Sequence, residues 1–413
     1  MKSILYAKMT TDHKPRVRYM VSSPQGSLVM DNAMMAMPMI TRRIDAALTG
    51  DSDPIIETSP SLGYGQYLNM VKEFISQDTY QPILKAASKR LGKNILIQDL
   101  KEVIIYSEKH GSLYNVAKVG AHIIDSIIPF AVNVAFTPQA KRYMSREIPA
   151  LLRLAGQLPC PYLPAVYETG EVEYESQKGM KSSASMFLAE WFHDFYEFHL
   201  SIDPLDNRQK VIVWDYDRGN SYLSNEQTYD LYKQIAITLT LYYDPDDFSQ
   251  IFPWHHAAGD FIVMLQGDDK VSVKIVTARG HAPLIYFLPD EAEQQYTALT
   301  HFFSLLSLKI RLDRLDGVGD IAWADDFVLY AAADGFFEAL KEKTRLKKIN
   351  IGDITEFALL LSSFTSKDWK DILFTALDVY EKEDPDLTVI LNHLDEHTLQ
   401  LSQAMPRAYS RML

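Results

Sequence analysis

The sequence predicts an α+β protein with two lobes, in which a five-stranded antiparallel lobe precedes a mainly helical lobe. Between about residues 95 and 190, short β-rich runs are separated by turn residues and interrupted by one segment with helical spacing. After residue 200, long segments repeat apolar residues every three or four positions. We place an N-terminal extension at residues 1–85, the first lobe at 86–195 and the second at 196–413.

Composition restricts both the class of function and the compartment. A net charge of −13, without a dense stripe of lysine and arginine, argues against nucleic-acid binding. The single cysteine, Cys160, leaves no intrachain disulfide and no cysteine metal cluster, as is usual in a reducing cytosol. The N-terminus lacks the apolar core of a signal peptide, and no window reaches the roughly 18 apolar residues of a membrane span. We therefore expect a cytoplasmic protein with no membrane partner.

The N-terminal extension has an irregular pattern. Its methionine-rich piece VMDNAMMAMPMITRRIDAAL predicts a helix, or a strand followed by a helix. Methionines at this density suit adaptable packing or an interface, so a homo-oligomer through residues 1–85 is one expectation. The segment NMVKEFISQDTYQPILKAASKRL has helical spacing, and Pro82 predicts an interruption.

The first lobe follows as three strands, a helix and two strands. EVIIYSEKHGSLYNVAKVGAHI predicts a hairpin, and IPFAVNVAF predicts a third strand between two prolines. QAKRYMSREIPALLRLAGQL has helical spacing. YLPAVYETGEVEY and SASMFLAEWF predict two further strands, separated by a polar turn-like segment.

The second lobe opens with NEQTYDLYKQIAITLTLYYDP, a long helix that starts near Asn225 and ends before Pro245. The loop FPWHHAAGDFIV comes next, and DFIVML with VSVKIVTA predicts a small hairpin. QQYTALTHFFSLLSLKIRLDRL, DDFVLYAAADGFFEALKEKTR, DITEFALLLSSF and the last forty residues are all helical by pattern.

This order of elements, over roughly residues 95–340, resembles the protein-kinase-like superfamily, and especially its aminoglycoside and choline phosphotransferase branch. The resemblance implies a two-lobed kinase-like fold and ATP with Mg²⁺ as cofactors. In the family, the first hairpin covers the nucleotide phosphates, and here EKHGSLYNVAKV brings Lys109 and Gly111 to that place. A hairpin turn alone would also explain the single glycine.

The family's third strand carries a lysine that pairs with a helix glutamate and with the nucleotide. Asn133 stands at that lysine position, whereas Glu147 matches the glutamate, and Lys118 on the preceding strand is a possible source of the missing charge. The last strand resembles the one that leads to the adenine-contacting linker, which implies that Glu190 and Trp191 flank the nucleotide.

The loop FPWHHAAGDFIV falls where the family has its catalytic loop, and His256 with Asp260 implies the catalytic pair. In the family, the aspartate orients or deprotonates the attacking hydroxyl. Asp260 can equally hydrogen-bond the N–H groups of its own loop, and His256 can hold that loop. The expected metal ligands are absent, since Gln266 and Thr277 stand near those places, and Arg279 suits an anionic group instead.

Three readings of function stay open on the sequence. One is a phosphotransferase that acts on a small-molecule hydroxyl through an atypical metal and nucleotide site. Another is a catalytically inactive pseudokinase-like protein that binds a nucleotide, a metabolite or a protein partner. The third is an interaction protein whose N-terminal eighty residues mediate assembly. The missing metal ligands make ATP with Mg²⁺ a doubtful cofactor pair.

Overall fold

The computed structural model describes residues 14–21, 27–39, 62–110, 113–159, 161–175, 179, 181–215, 218–267, 269–287, 294–346 and 353–413. The chain divides into two compact units. The first holds the described parts of Met1–Arg42, Thr58–Lys141 and Val166–Trp191, and the second holds those of Arg142–Ala165 and Phe192–Leu413. Together they form an α+β protein, as the sequence predicts.

One large sheet organises the first unit. Its strands are β1 (Arg16–Val21), β2 (Leu28–Val29), β3 (Leu100–His110), β4 (Asn115–Ile123), β5 (Ser126–Ala135), β6 (Val166–Glu175) and β7 (Lys181–Glu190). The order across the sheet is β2-β1-β3-β4-β5-β7-β6. The five expected strands are present as β3 to β7 and pair antiparallel.

The prediction of a five-stranded antiparallel sheet is nevertheless wrong in extent. The extension adds β1 and β2, and β1 runs parallel to β3, so the sheet has seven strands and mixed pairing. Arg18 on β1 donates from Nε and one Nη to the carboxylate of Glu102 on β3, both at 2.7 Å. The added strand covers the backbone groups that β3 would otherwise expose at an edge.

Two helices complete the described first unit, α1 (Asn32–Ala36) and α2 (Tyr64–Leu91). The interruption of α2 lies at Gln77–Tyr80 rather than at Pro82, because Asp78, Thr79 and Tyr80 all have positive φ. Pro82 follows the break within one turn, where a helix does not need its N–H group. Phe74 on α2 packs so close to β6 that a Cβ on Gly170 would lie 2.9 Å from its ring.

Helix α3 (Pro138–Leu154) leads into the second unit, to which its residues from Arg142 onwards belong. The strands of that unit are β8 (Phe198–Asp203), β9 (Arg208–Val213), β10 (Ser221–Tyr222), β11 (Ser249–Ile251), β12 (Phe261–Gln266), β13 (Lys270–Ile275), β14 (His281–Pro283), β15 (Leu312–Arg314) and β16 (Ile321–Trp323). The expected hairpin is β12 with β13, paired antiparallel.

The sequence did not predict the sheet β10-β9-β8. The pattern that predicts it lies within a short segment, where the alternating run FHLSID is followed by a turn. In that turn Asn207 adopts a left-handed conformation with φ 56°. A second difference follows Lys309, where the chain leaves its helix and Leu312–Arg314 pairs as a strand with β16.

The helices of the second unit are α4 (Asn225–Leu241), α5 (Ala257–Asp260), α6 (Gln294–Lys309), α7 (Phe327–Arg345), α8 (Ile354–Ser362), α9 (Ser366–Ala376) and α10 (Pro385–Met412). Helix α4 starts at Asn225 as expected, because the Ser224 hydroxyl accepts a hydrogen bond from the Gln227 N–H. Of the helices that the structure describes, none combines the length and the apolarity required to cross a bilayer.

Helices α4 and α7 approach each other at a glycine. A Cβ added to Gly335 on α7 would lie 2.3 Å from the carbonyl oxygen of Lys233 on α4 and 3.1 Å from the Ala236 Cβ. The backbone oxygen cannot rotate away, so the two helices would have to separate.

We therefore expect Gly335→Ala to lower the free energy of unfolding by about 1–3 kcal/mol or more, the usual range for overpacking. Urea denaturation measures the change. Gly156→Ala is the control, since a Cβ there meets nothing within 4 Å. Equal losses in both variants would contradict this account of the helix contact.

Candidate functional site

The loop FPWHHAAGDFIV forms one tight turn in the second unit. His256 precedes the four-residue helix α5, and its carbonyl oxygen accepts hydrogen bonds from the N–H groups of Gly259, at 3.0 Å, and Asp260, at 3.3 Å. Phe261 then begins β12 and is buried with Val263. The apolar strand is therefore anchored in the core, and the polar turn before it is held in one conformation.

Asp260 is completely buried and forms a bidentate ion pair with Arg279. Arg279 donates from one Nη to Asp260 Oδ2 at 2.6 Å and from the other to Oδ1 at 2.5 Å. The backbone N–H of His255 adds a third hydrogen bond to Oδ2 at 2.7 Å. Burial alone would raise the pKa of Asp260, but the charge and hydrogen bonds of Arg279 outweigh it and lower that pKa.

The geometry of this pair shows that the carboxylate of Asp260 is bound by groups of its own chain. Both carboxylate oxygens accept charge-assisted hydrogen bonds, so the group is ionised and fully engaged. Arg279, expected to bind an anion, has one in Asp260.

The side chain of Glu147 on α3 forms hydrogen bonds with the segment between β13 and Arg279. Its Oε1 accepts hydrogen bonds from the Thr277 hydroxyl and, at 3.1 Å, from the Ala278 N–H. Glu147 is 1% exposed, so these contacts replace water around it. Glu147 thus orders the chain beside Arg279.

A histidine pair links the loop to α10. His256 is buried, and its Nε2 lies 3.1 Å from both carboxylate oxygens of Asp386. Burial would raise the pKa of Asp386, but the hydrogen bond from His256 and nearby cations lower it. The His255 ring stacks on that of His256 with centroids 4.0 Å apart, and burial, reinforced by the adjacent His256, lowers the pKa of His255 to about 3.

In the first unit, Lys118 and Asn133 share a face of the sheet. Lys118 pairs with Ala131 and Asn133 with Val116, and paired residues of antiparallel strands lie on one face. The opposite face carries Ala117, Val119, Val132 and Val134, which join the core around α2. Asn133 is half-buried.

The ammonium of Lys118 is held by two aromatic rings on that face. Its Nζ lies 5.5 Å from the ring centroid of Tyr106 and 5.0 Å from that of Trp191. Glu190, next to Trp191, forms an ion pair with Arg90 on α2. Lys109 is the last residue but one of the hairpin strand β3, and Gly111 lies outside the described residues.

The described residues at the expected metal positions do not fit Mg²⁺. Gln266 is exposed and its amide donates to the Ser272 hydroxyl at 2.5 Å, while the Thr277 hydroxyl donates to Glu147. Within the described ranges, no three His, Cys, Asp or Glu side chains are grouped so that they could hold a metal ion. We assign no step to a metal–nucleotide complex.

Two residues near this site, Asp386 and Lys309, are not identified by the sequence analysis. The only sequence pattern that includes Asp386 is that of a helix N-terminus, because Asp384 is the N-cap of α10 and Pro385 is its first residue. Lys309 is the last residue of the buried helix α6 and stands with Arg311 in the otherwise uncharged run SLLSLKIRL, and that charge at a buried helix end is a signal in the sequence.

The chain matches no protein-family model, and a search of curated proteins finds no significant match. The resemblance to the kinase-like superfamily therefore rests on the order of elements and on the residues described above, and the kinase-like fold remains a prediction.

Asp260→Asn tests how much the buried pair contributes to stability. It leaves the guanidinium of Arg279 buried without a counter-charge, so we expect the free energy of unfolding to fall by about 3–5 kcal/mol. Chemical denaturation measures the loss. The double variant Asp260→Leu/Arg279→Met removes both charges and should lose less than Asp260→Asn, whereas a loss in Asp260→Asn under about 1 kcal/mol would contradict the assignment.

His255 predicts a dependence of stability on pH. Its folded pKa of about 3 lies below the unfolded value near 6.5, so between these values the unfolded chain binds a proton that the folded chain does not. Stability should therefore fall as pH decreases from about 6.5, by up to about 1.4 kcal/mol per pH unit from this group. His255→Gln should reduce the slope measured by denaturation between pH 6.5 and 4.5, and an unchanged slope would rule out His255 as a source.

Proposed function

We propose that this chain is a kinase-like binding protein without phosphotransferase activity, and that its ligand is a nucleotide or a related metabolite. The observation that carries the proposal is the engagement of Asp260 by Arg279. It favours the binding reading over phosphate transfer to a hydroxyl.

A general base needs a free lone pair within reach of the proton that it abstracts. Asp260 accepts three hydrogen bonds and has no exposed surface, so a substrate hydroxyl would first have to displace Arg279. The lowered pKa also weakens Asp260 as a base. Breaking a buried, bidentate pair leaves two uncompensated charges, which opposes such a rearrangement.

The two residues at the positions of the family's lysine and glutamate also do not supply the charges that a phosphotransferase uses to bind phosphates. Asn133 has no charge to offer, and Glu147 is bound to Thr277 and Ala278. Phosphoryl transfer depends on placed cations and metal ions, so these contacts favour recognition without turnover.

Support for a small ligand comes from the face of the first unit that carries Lys118. A cation held between Tyr106 and Trp191, with the amide of Asn133 on the same face, offers partners for an anionic group and for polar edges of a ring. A nucleotide or a phosphorylated metabolite has both kinds of group, which is why we propose this class.

Thermal denaturation with ATP, ADP and AMP, each with and without Mg²⁺, tests the proposal. Ligand at about 100 times its Kd stabilises a protein by about 2.7 kcal/mol, so we expect at least one nucleotide to raise Tm, without a requirement for Mg²⁺ and without nucleotide consumption. Lys118→Met should reduce the shift. Lys101→Met is the matched control, because Lys101 lies on the same sheet and pairs at the surface with Asp125.

Two results would overturn the proposal. One is consumption of ATP by the wild-type chain, which would restore the phosphotransferase reading. The other is the absence of a shift with any nucleotide under conditions in which the protein is folded.

A further inference from the structure

Among the described residues, the buried Lys309 lacks the hydrogen bonds and ion pairs that the other buried lysine and arginine side chains make. The described residues include four buried cationic side chains, Arg279, Lys309, Arg311 and Lys343. Arg279 pairs with Asp260, Arg311 donates to Ala324 O and Gln400 Oε1, and Lys343 Nζ donates to Leu241 O at 2.8 Å and Tyr243 O at 2.6 Å. Within the described part of the chain, Lys309 Nζ has neither a hydrogen bond nor an ion pair.

Three aromatic rings surround this amine instead. Its Nζ lies 6.0 Å from the ring centroid of Phe252, 5.4 Å from that of Trp254 and 5.2 Å from that of Tyr380. The first two belong to the loop before Asp260 and the third precedes α10. We call these three residues and Lys309 the amine cage. Trp254 is buried, whereas Phe252 and Tyr380 are half-buried and form its outer side.

A second polar atom of the cage also lacks a partner. The hydroxyl of Tyr380 is buried and has no hydrogen-bond partner among the described residues. Burial, with the nearby carboxylates of Asp386 and Asp384, holds the pKa of Tyr380 well above its ordinary value, so this hydroxyl keeps its proton. Among the described residues, the cage therefore contains an amine surrounded by rings and a protonated hydroxyl that lacks a hydrogen-bond partner.

Burial lowers the pKa of Lys309, so a larger fraction of the side chain is in the neutral, nucleophilic amine form. The charged groups that act on it are Asp384 and Asp386 at the start of α10, and Asp260 and Arg279 beside the loop. The three carboxylates oppose the shift and Arg279 reinforces it, yet desolvation remains the largest effect.

We propose that Lys309 is a carbonyl-reactive amine that forms an imine with a small aldehyde or ketone, assisted by the hydroxyl of Tyr380. The site follows from the cage alone and does not depend on the binding function proposed above. Desolvation in an apolar pocket is one of the ways in which proteins activate a lysine as a nucleophile.

The step balances without an oxidant or a reductant. The neutral amine attacks the carbonyl carbon, and a C–N bond forms as the C=O π bond breaks. Tyr380 protonates the oxygen and recovers a proton from the nitrogen, which gives a carbinolamine. The nitrogen lone pair then expels the oxygen, which takes up a further proton and leaves as water. In sum, one ammonium and one carbonyl give one protonated imine and one water.

The surrounding charges favour a carbonyl compound over an anion as the ligand. An anion would lie within the negative field of Asp384 and Asp386, which act on Lys309. A protonated imine keeps the positive charge of the lysine, so the same rings and carboxylates stabilise it. A small carbonyl compound is also uncharged while it passes the half-buried rings of Phe252 and Tyr380.

Reductive trapping on the full chain tests the proposal. The native protein is incubated at pH 7 with propionaldehyde and cyanoborohydride, and peptide mass spectrometry measures the rate of propylation at each lysine. We expect Lys309 to react faster than Lys343, which is equally buried but hydrogen-bonded, by on the order of tenfold. In urea, where both lysines are solvated, the rates should become equal.

Variants separate reactivity from simple access. Tyr380→Phe should slow labelling of Lys309 severalfold while labelling of surface lysines stays the same, and Lys309→Met should remove the fast site without unfolding the protein. Lys343→Met should leave the rate at Lys309 unchanged. The proposal is overturned if Lys309 labels no faster than Lys343 in the native protein, or if Tyr380→Phe has no effect on its rate.

Discussion

The buried ion pair between Asp260 and Arg279 is the constraint on which the surrounding structure depends. A carboxylate removed from water costs several kcal/mol unless a cation and hydrogen bonds replace the lost hydration. Here the replacement comes from both ends of one hairpin, since Asp260 precedes β12 and Arg279 follows β13. The Asp260 carbonyl oxygen also accepts a hydrogen bond from the Val276 N–H at 2.9 Å, so a backbone contact joins the same two ends of the hairpin.

Contacts made by neighbouring residues extend this constraint. Arg279 can reach Asp260 only if the chain after β13 is fixed, and the contacts of Glu147 with Thr277 and Ala278 fix it. His256, at the start of the same turn, is held by Asp386 of α10. Three chain segments thus converge on one loop through hydrogen-bonded pairs, and such pairing lowers the cost of burying their polar groups.

The sequence predicts those elements whose signals are local. Strands β3 to β7, helix α4 and the β12–β13 hairpin were predicted because alternation, caps and turn residues lie within the elements themselves. The parallel pairing of β1 with β3 was not, since it joins residues more than eighty positions apart. Asp260 and Arg279 were each singled out, but as a base and as an anion-binding cation. Their mutual pairing depends on the register of the hairpin, and that of His256 with Asp386 depends on packing across 130 residues.

The ion pair also explains how this loop is stable without a ligand. A carboxylate that serves a metal or a substrate must be left partly uncompensated, and that costs stability when the ligand is absent. Arg279 supplies the compensating charge from within the chain, so the loop is complete on its own. The same reasoning marks Lys309 as different, because its amine lies among three aromatic rings beside this loop. The Tyr380 hydroxyl next to it is buried without a hydrogen-bond partner among the described residues. Because Asp260 and Asp386 each have a partner within the chain, a buried lysine beside them that is held by aromatic rings is the group for which a chemical role is the more informative hypothesis to test.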